Sequence, residues 1–284
     1  MINMKPYELK DSFEEYQDAV KRIKNEAVKS ELQSIEPTIK TCYDDYETHF
    51  KLNDLECLEP DSTAEEHKGA LLNMFGSKKA LITKFRKRFF EINKQTYNNL
   101  CPYCVISESN TTEHILPKED YPEFAVDVLN LIPCCSNCNS LKNNAIAGKN
   151  GRRLFLNFYT DILPNIQFLF VDIISADPDL NYNYRLANVN NAINTQLFSL
   201  IESHFKKLNL LSRYNFKAIQ TFEEITNMYL AQEFTNSQDY DIFVNKQLKA
   251  WAMNNVAYGI NHWKQVLEHA CATSSVFKKY ILNR

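Results

Sequence analysis

Four cysteines in the middle of the chain have the spacing of a metal site. They form two Cys-x-x-Cys pairs, Cys101 with Cys104 and Cys135 with Cys138, and 30 residues separate the two pairs. Each pair can present two thiolates to one tetrahedral zinc ion, whereas a single pair is also typical of a redox motif. Two pairs that bracket a polar segment therefore predict a structural Zn site.

The other four cysteines are predicted to have no role in metal binding. The first ten residues lack the apolar stretch of a secretory signal, so we expect a cytoplasmic protein whose thiols stay reduced. Cys134 is interpreted as a spare, because Cys135 gives the two-residue spacing to Cys138. Three isolated cysteines are expected to be buried small side chains: Cys42, Cys57 and Cys271.

The segment between the pairs carries residues suited to metal-assisted hydrolysis. Glu113 precedes His114, and Asn139 follows the last cysteine of the second pair. Carboxylate and amide oxygens are ligands that suit Mg or Mn, and a histidine titrates near neutral pH. An acidic residue beside a histidine is ordinary on composition alone, so these residues permit a catalytic interpretation without requiring it.

The order of these motifs resembles that of the zinc-stapled HNH endonucleases, whose catalytic unit is a ββα-metal fold. Over Cys101–Lys142 the chain reads Cys-x-x-Cys, Glu-His-Ile-Leu-Pro-Lys, Asn-Leu-Ile-Pro and Cys-x-x-Cys-Asn-x-x-Lys. The resemblance implies that His114 is the general base that activates water, and that Glu113 and Asn139 ligate a catalytic divalent ion. It also implies that Asn130 holds the turn between the strands and thereby orients His114.

Two positions depart from the common pattern of that family. Glu113 stands where aspartate is more frequent, and Asn139 stands where a final histidine is more frequent. Both residues keep an oxygen ligand, so the resemblance implies magnesium or manganese rather than a softer metal. In the implied reaction His114 takes a proton from water, while the cation stabilises charge on the 3′ leaving oxygen.

Positive charge is concentrated in this part of the chain. Residues 1–77 have a net charge of −8, residues 78–153 one of +5, and the remaining residues sum to zero. We expect the acidic first region to support, inhibit or dock a partner rather than bind DNA. Eight cations are candidates for contacts with nucleic-acid phosphates, with solvated lysine and arginine side chains as the alternative: Lys78, Lys79, Lys84, Arg86, Lys87, Arg88, Lys118 and Lys142.

The elements that position these residues are predicted from periodicity and from turn-forming residues. Helices are predicted over residues 11–36 with Pro37 at the end, 39–52, 63–75, 190–211, 216–234 and 239–251, and in a last stretch to residue 284. Strands are predicted over residues 155–159 and 166–174. The predicted class is α+β and mainly α, with a small ββα-metal core at residues 98–160 between a helical region, 1–97, and a mainly helical region, 161–284.

Composition excludes several other classes of protein. With 284 residues, 44% hydrophobic and 24% charged, the chain is too long and too apolar for a disordered tail or a stapled mini-protein. Glycine-rich nucleotide-binding fingerprints are absent from the sequence. No apolar run is long enough to span a membrane, so we expect no membrane partner.

The sequence thus predicts a metal-dependent DNA endonuclease, with RNA as the alternative substrate. Its architecture resembles the nuclease effectors of anti-phage defence systems, in which a regulatory ATPase or sensor controls the cut. A catalytically silent zinc-stapled nucleic-acid-binding module and a partner-docking scaffold are the two alternatives. A single HNH site generally cuts one strand, so double-strand breaks would indicate a homo-oligomer or two sequential nicks.

Overall fold

The computed structural model describes residues 3–6, 12–77, 79–93, 99–148 and 151–284. The predicted class is confirmed, because two small antiparallel sheets lie within a mainly helical chain. No helix in the described ranges combines the length and the apolar composition needed to cross a membrane. The chain divides into two compact units, one of residues 3–103 and 107–162 and the other of residues 104–106 and 163–284. The three-part domain division at residues 97 and 160 stays a prediction.

The described part of the first unit begins with six helices: α1 (Ser12–Lys21), α2 (Glu26–Ser34), α3 (Glu36–Leu52), α4 (Ser62–Glu66), α5 (Lys68–Ser77) and α6 (Lys79–Ile92). The single helix predicted over residues 11–36 is wrong. The Asn25 side chain accepts hydrogen bonds from the backbone of Ala27 and Val28 and so caps a new helix. Pro37 lies in the first turn of α3 and does not end the preceding helix, because a proline is tolerated where the N–H has no helical partner.

Buried aromatic side chains join α1 and α3 to the segment that follows the first strand. Tyr16, Tyr43 and Tyr46 are at most 2% exposed, and Phe124 of that segment packs on Tyr46 with ring centroids 4.8 Å apart. Full burial of a large apolar side chain contributes about 1.5–3 kcal/mol. The amino-terminal helices thus stabilise the loop that lies next to Glu113 and His114.

The segment between the cysteine pairs forms two strands and a helix. Strand β1 (Thr111–His114) pairs antiparallel with β2 (Leu131–Cys134), and Glu113 lies opposite Ile132. Short 3-10 turns at Pro122–Phe124 and Val128–Asn130 shape the connection between the strands. Helix α7 (Ser136–Lys142) follows β2 and packs against β1.

The second unit pairs two strands with a set of helices. These are β3 (Leu169–Ala176), β4 (Asp179–Leu186), α8 (Thr195–Lys207), α9 (Leu210–Leu230), α10 (Ser237–Tyr258), α11 (Trp263–Thr273) and α12 (Ser275–Leu282). The strands pair antiparallel over all eight positions. Tyr214 of α9 donates a hydrogen bond to the carbonyl oxygen of Cys104 at 3.0 Å, so the 104–106 segment packs with this unit.

Two strand assignments from the sequence differ from the structure. Strand β4 was not predicted, although its apolar residues Leu180, Tyr182, Tyr184 and Leu186 alternate with polar ones as a half-buried strand requires. The strand predicted over residues 155–159 is wrong. Asp161 accepts a hydrogen bond from the Asn157 backbone at 2.7 Å, which holds that apolar segment in a turn.

Candidate active site and zinc site

The four paired cysteines come together as the sequence predicts. The Sγ atoms of Cys101, Cys104, Cys135 and Cys138 all lie within 4.8 Å of one another, and all four residues are buried. Tetrahedral coordination with Zn–S bonds of about 2.3 Å places the sulfurs roughly 3.8 Å apart, so the cluster fits a zinc ion. Among the described residues, it is the one group of three or more His, Cys, Asp or Glu side chains that meets this geometric test.

Local backbone structure positions both cysteine pairs. Cys135 is the N-cap residue of α7, and its Sγ accepts a hydrogen bond from the Cys138 backbone at 3.4 Å. Cys101 lies in a narrow hairpin closed by its own N–H, which donates to the carbonyl oxygen of Ser107 at 2.8 Å. Each pair is thus held by a tight turn, as a tetrathiolate site requires.

The remaining cysteines lie outside this cluster. Cys134 lies outside the cluster, buried beside the hydroxyl of Thr111, and burial raises the pKa of its thiol to about 12. Cys42 and Cys271 are buried, as expected. The expectation for Cys57 is wrong, since it is exposed as the last residue of a short 3-10 turn, Leu55–Cys57.

His114 is held by a backbone carbonyl in the loop between the strands. Its Nε2 lies 2.9 Å from the carbonyl oxygen of Ala125. Because a carbonyl only accepts, Nε2 carries the proton, and Nδ1 of the neutral ring is left as an acceptor. Burial lowers the pKa of His114 to about 4, and its ring packs edge-on against Phe75 of α5 with centroids 4.6 Å apart. His114 is therefore neutral at physiological pH.

Asn130 joins the ends of the connection between β1 and β2. Its Nδ2 donates to the carbonyl oxygens of Leu116 at 3.0 Å and Phe124 at 3.2 Å. Its Oδ1 accepts from the Leu116 backbone at 2.7 Å and from the Tyr46 hydroxyl at 3.2 Å. All four hydrogen-bonding positions of this carboxamide are occupied, and the residue is fully buried. Phe124 immediately precedes Ala125, whose carbonyl oxygen accepts the hydrogen bond from His114.

Glu113 is buried against a lysine. Its Oε1 accepts a hydrogen bond from Lys142 Nζ at 2.9 Å, and the same ammonium donates to the carbonyl oxygen of His114 at 2.8 Å. Burial raises the pKa of Glu113, and the neighbouring Lys142 charge opposes that shift. Lys142 is only 3% exposed. This corrects the expectation that it contacts phosphates from the surface.

Asn139 and Lys142 reach the same side of β1. They lie one turn apart on α7, and Asn139 Nδ2 contacts the Thr111 hydroxyl at 3.3 Å. Thr111 and Glu113 point to one face of β1, because side chains alternate along a strand. Lys142 Nζ contacts Glu113 Oε1 at 2.9 Å, so both helix residues contact side chains of this face of β1. The two predicted oxygen ligands, Glu113 and Asn139, are therefore on one face.

The predicted phosphate contacts at residues 78–88 fall into different environments. Lys78 lies outside the described residues, and so does the side chain of Lys79. Arg86 is half-buried and donates to the carbonyl oxygens of Ser109 and Thr111, so it ties α6 to β1 and is not a free surface cation.

The remaining predicted cations lie nearer to solvent. Lys84 pairs with Glu15, and Arg88 lies 3.6 Å from Glu91. Lys87 is exposed on α6. Lys118 pairs with the adjacent Glu119 and keeps 30% of its side chain exposed.

Two carboxyl groups near the site were not singled out from the sequence. Glu123 and Asp127 flank the 124–125 segment, and they are 1% and 0% exposed. Each accepts a backbone hydrogen bond, Glu123 from Asp61 and Asp127 from Leu129. Burial raises the pKa of each to about 7. The partner of Glu123 lies 62 residues earlier in the chain, whereas Asp127 caps the turn at Val128–Asn130 through a contact only two residues away.

Comparison with known proteins agrees with the geometry of the ββα segment. Residues 101–145 match the family model described as HNH endonuclease. The chain carries an HNH endonuclease domain. The match covers the four cysteines, both strands, α7 and the Glu113–His114 dipeptide of that HNH domain.

Two curated relatives share parts of the chain. Protein ea31 of Escherichia phage lambda is 25% identical over 197 residues, which are 62% of this chain and 62% of ea31. Septu protein PtuB of Bacillus thuringiensis is 42% identical over 50 residues, which are 16% of this chain and 20% of PtuB. The chain thus matches less than two thirds of the length of either relative. No solved structure matches it.

Removal of the thiolate ligands should unfold the HNH domain. We expect Cys135→Ser to lose bound zinc and to lower Tm strongly, because binding of a structural zinc supplies folding free energy that this short segment lacks. Cys134→Ser is the matched control, since it changes the neighbouring buried cysteine outside the cluster. Zinc content by atomic emission and thermal unfolding would check this. Equal zinc content in the two variants would contradict the assignment.

The buried carboxyl of Asp127 should make the protein less stable as pH rises. In the unfolded chain this group loses its proton near pH 4, whereas its folded pKa is about 7. The folded state therefore binds more protons between these values, so the free energy of unfolding falls as pH increases through that window. The groups around Asp127 include Tyr43, Tyr46 and Glu47 of α3, and none of them is a cation.

We expect Asp127→Asn to keep the cap on the Leu129 N–H and to remove this loss. Relative to wild type, the variant should gain free energy of unfolding between pH 5 and pH 8. The gain is on the order of 1–4 kcal/mol, from the conversion of a pKa shift into free energy. Urea unfolding at several pH values would measure it. Asp45→Asn, at an exposed position of α3, controls for net charge. An identical pH dependence in wild type and Asp127→Asn would refute the prediction.

Proposed function

We propose that this chain is a metal-dependent endonuclease that hydrolyses DNA phosphodiester bonds, with His114 as general base and one divalent cation. The observation that carries the proposal is the hydrogen bond between His114 Nε2 and the Ala125 carbonyl, in a domain that matches the HNH family. That bond fixes the tautomer in which Nδ1 can accept a proton.

His114 has the protonation state that a general base needs. Its pKa is lowered by burial, so the ring is neutral at pH 7 and free to accept the proton of an attacking water. A positioned general base contributes about 10²–10⁴-fold to a rate. In this proposal Asn130 acts as a positioning residue, because it holds the Phe124 carbonyl beside the one that binds His114.

Glu113 and Asn139 would hold the divalent cation. Asn139 contacts Thr111 and Lys142 of the same helix contacts Glu113, which supports this assignment, and carboxylate and amide oxygens are the donors that magnesium and manganese prefer. When bound, such an ion stabilises negative charge on the scissile phosphate and on the leaving oxygen. The tetrathiolate zinc has no open position and acts only in folding.

The proposed substrate is a nucleic acid, here DNA, and exposed cations near the domain support the binding of a polyanion. Lys87 and Arg88 are exposed on α6, and Lys118 follows His114 by four residues. Cations at such positions neutralise phosphates without reading bases, so the proposal implies little sequence specificity. The acidic amino-terminal helices would not add to this surface.

Plasmid cleavage tests the proposal. We expect purified zinc-loaded protein to nick supercoiled plasmid when Mg²⁺ or Mn²⁺ is present, and to stop when a chelator removes that ion. His114→Ala should lower the rate by about 10²-fold or more, since it removes the base. His269→Ala is the matched control, because it removes a histidine of the second unit that packs against Trp251. Gel electrophoresis over time would separate nicked from linear products.

The outcomes of this assay distinguish the candidate functions. Cutting that persists in His114→Ala would overturn the assignment of the base. DNA binding by the wild type without any cutting would favour a silent zinc-stapled module. Cutting of a matched RNA in preference to DNA would change the substrate class and leave the mechanism intact.

We extend the proposal to a role as a cytoplasmic effector of bacterial anti-phage defence, controlled by a regulatory ATPase or sensor. The support is the 50-residue similarity to Septu protein PtuB and the large helical regions outside the HNH domain. We expect the native gene locus to lower phage plaque counts in a bacterial host, and the locus with His114→Ala to lose protection. Equal plaque counts for the two loci would argue against this role.

A further inference from the structure

Lys142 is a buried cation placed on a proposed metal ligand. Its ammonium lies 2.9 Å from Glu113 Oε1 and 2.8 Å from the carbonyl oxygen of His114, and the residue is 3% exposed. The Phe155 ring centroid is 5.9 Å from Nζ. A lysine is almost never buried this far unless it is paired, so its contacts with Glu113 and His114 are the reason for its position.

The positive charge of Lys142 offsets the negative charge of Glu113, which would otherwise attract a divalent ion. The Glu113 carboxylate is paired with the Lys142 ammonium at 2.9 Å, and the Asn139 side chain carries no charge. Ligand charge is a main determinant of affinity for hard divalent cations. An ion that enters this site meets no net negative charge from Glu113, Asn139 and Lys142, and the nearby ammonium repels it.

We propose that Lys142 is a positioning residue that holds one oxygen of Glu113 and makes binding of the catalytic divalent ion depend on the phosphates of the bound nucleic acid. The inference rests on the proposed function and deepens it. Oε1 is engaged by Lys142, which leaves Oε2 for the ion. The phosphate then supplies the missing negative charge, so that metal and nucleic acid bind cooperatively and each raises the affinity for the other.

The same lysine fixes the geometry of the site. Its second bond, to the His114 carbonyl, links α7 to the end of β1, so the carboxylate of Glu113 and the backbone of the general base are held by one group. Hydrogen bonds to a charged donor are shorter and stronger than neutral ones. Asn139 is carried by the same helix one turn earlier, so the spacing of the two oxygen ligands depends on this bond.

Manganese binding to zinc-loaded full-length protein tests the inference. All proteins carry His114→Ala, which prevents cutting, and free Mn²⁺ is measured by electron paramagnetic resonance with and without a short DNA duplex. We expect the duplex to tighten Mn²⁺ binding about tenfold or more in the protein with Lys142. Lys142→Met should bind Mn²⁺ alone about tenfold more tightly, and the effect of the duplex should shrink.

Control variants separate charge from packing. Lys142→Arg retains the positive charge and should retain the cooperativity with the duplex. Lys142→Gln removes the charge but keeps a donor for the His114 carbonyl, so it should behave as Lys142→Met does and serves if that variant does not fold. Lys279→Met, at an exposed position of α12, makes the same change in net charge and should bind Mn²⁺ as the reference protein does.

The inference is overturned if folded Lys142→Gln binds Mn²⁺ alone no more tightly than the reference protein. It is equally overturned if the effect of the duplex stays unchanged in that variant. Either result, combined with metal-dependent plasmid cutting by the wild type, would leave the proposed function standing. Failure of every protein to bind Mn²⁺, with no cutting by the wild type, would remove the proposed function and the inference together.

Discussion

One buried carboxamide, that of Asn130, determines the shape of the loop on which the candidate site depends. It pairs with both backbone groups of Leu116 and with the Phe124 carbonyl, and it receives the hydroxyl of Tyr46. An aspartate would offer no donors for two of these partners, and an apolar residue would leave several buried polar groups without a partner. The site therefore requires an amide of this length at this position, and the chain around it is arranged to satisfy that amide completely.

The chemistry of His114 follows from the same loop. The Ala125 carbonyl that binds Nε2 lies one peptide beyond the carbonyl held by Asn130, so the tautomer of the base is determined by backbone geometry. Two buried carboxyl groups, Glu123 and Asp127, flank this segment with raised pKa values. Their burial lowers the free energy of unfolding at high pH, and in return Glu123 accepts a hydrogen bond from the Asp61 N–H and Asp127 one from the Leu129 N–H.

Local chemistry was predictable from the sequence, and long-range partners were not. The cysteine spacing and the order of motifs around His114 indicated the zinc cluster and the ββα segment, because both depend on residues close in sequence. Tyr46 lies 84 residues before Asn130, and no periodicity within α3 marks it as the partner of that amide. Strand β4, in contrast, was predictable, because its apolar and polar residues alternate visibly in the sequence.

Charge shows why a sum over sequence is a poor guide to a binding surface. The segment of residues 78–153 has a net charge of +5, yet several of its cations are used inside the fold. Arg86 binds two backbone carbonyls, Lys142 binds Glu113, and Arg153 pairs with Glu56 and Asp161. Buried pairs contribute little to the field that a polyanion meets, whereas exposed cations contribute directly. The electrostatic attraction for nucleic acid must therefore come from a smaller set of side chains than the sequence suggests, and Lys142 acts within the site rather than on its surface.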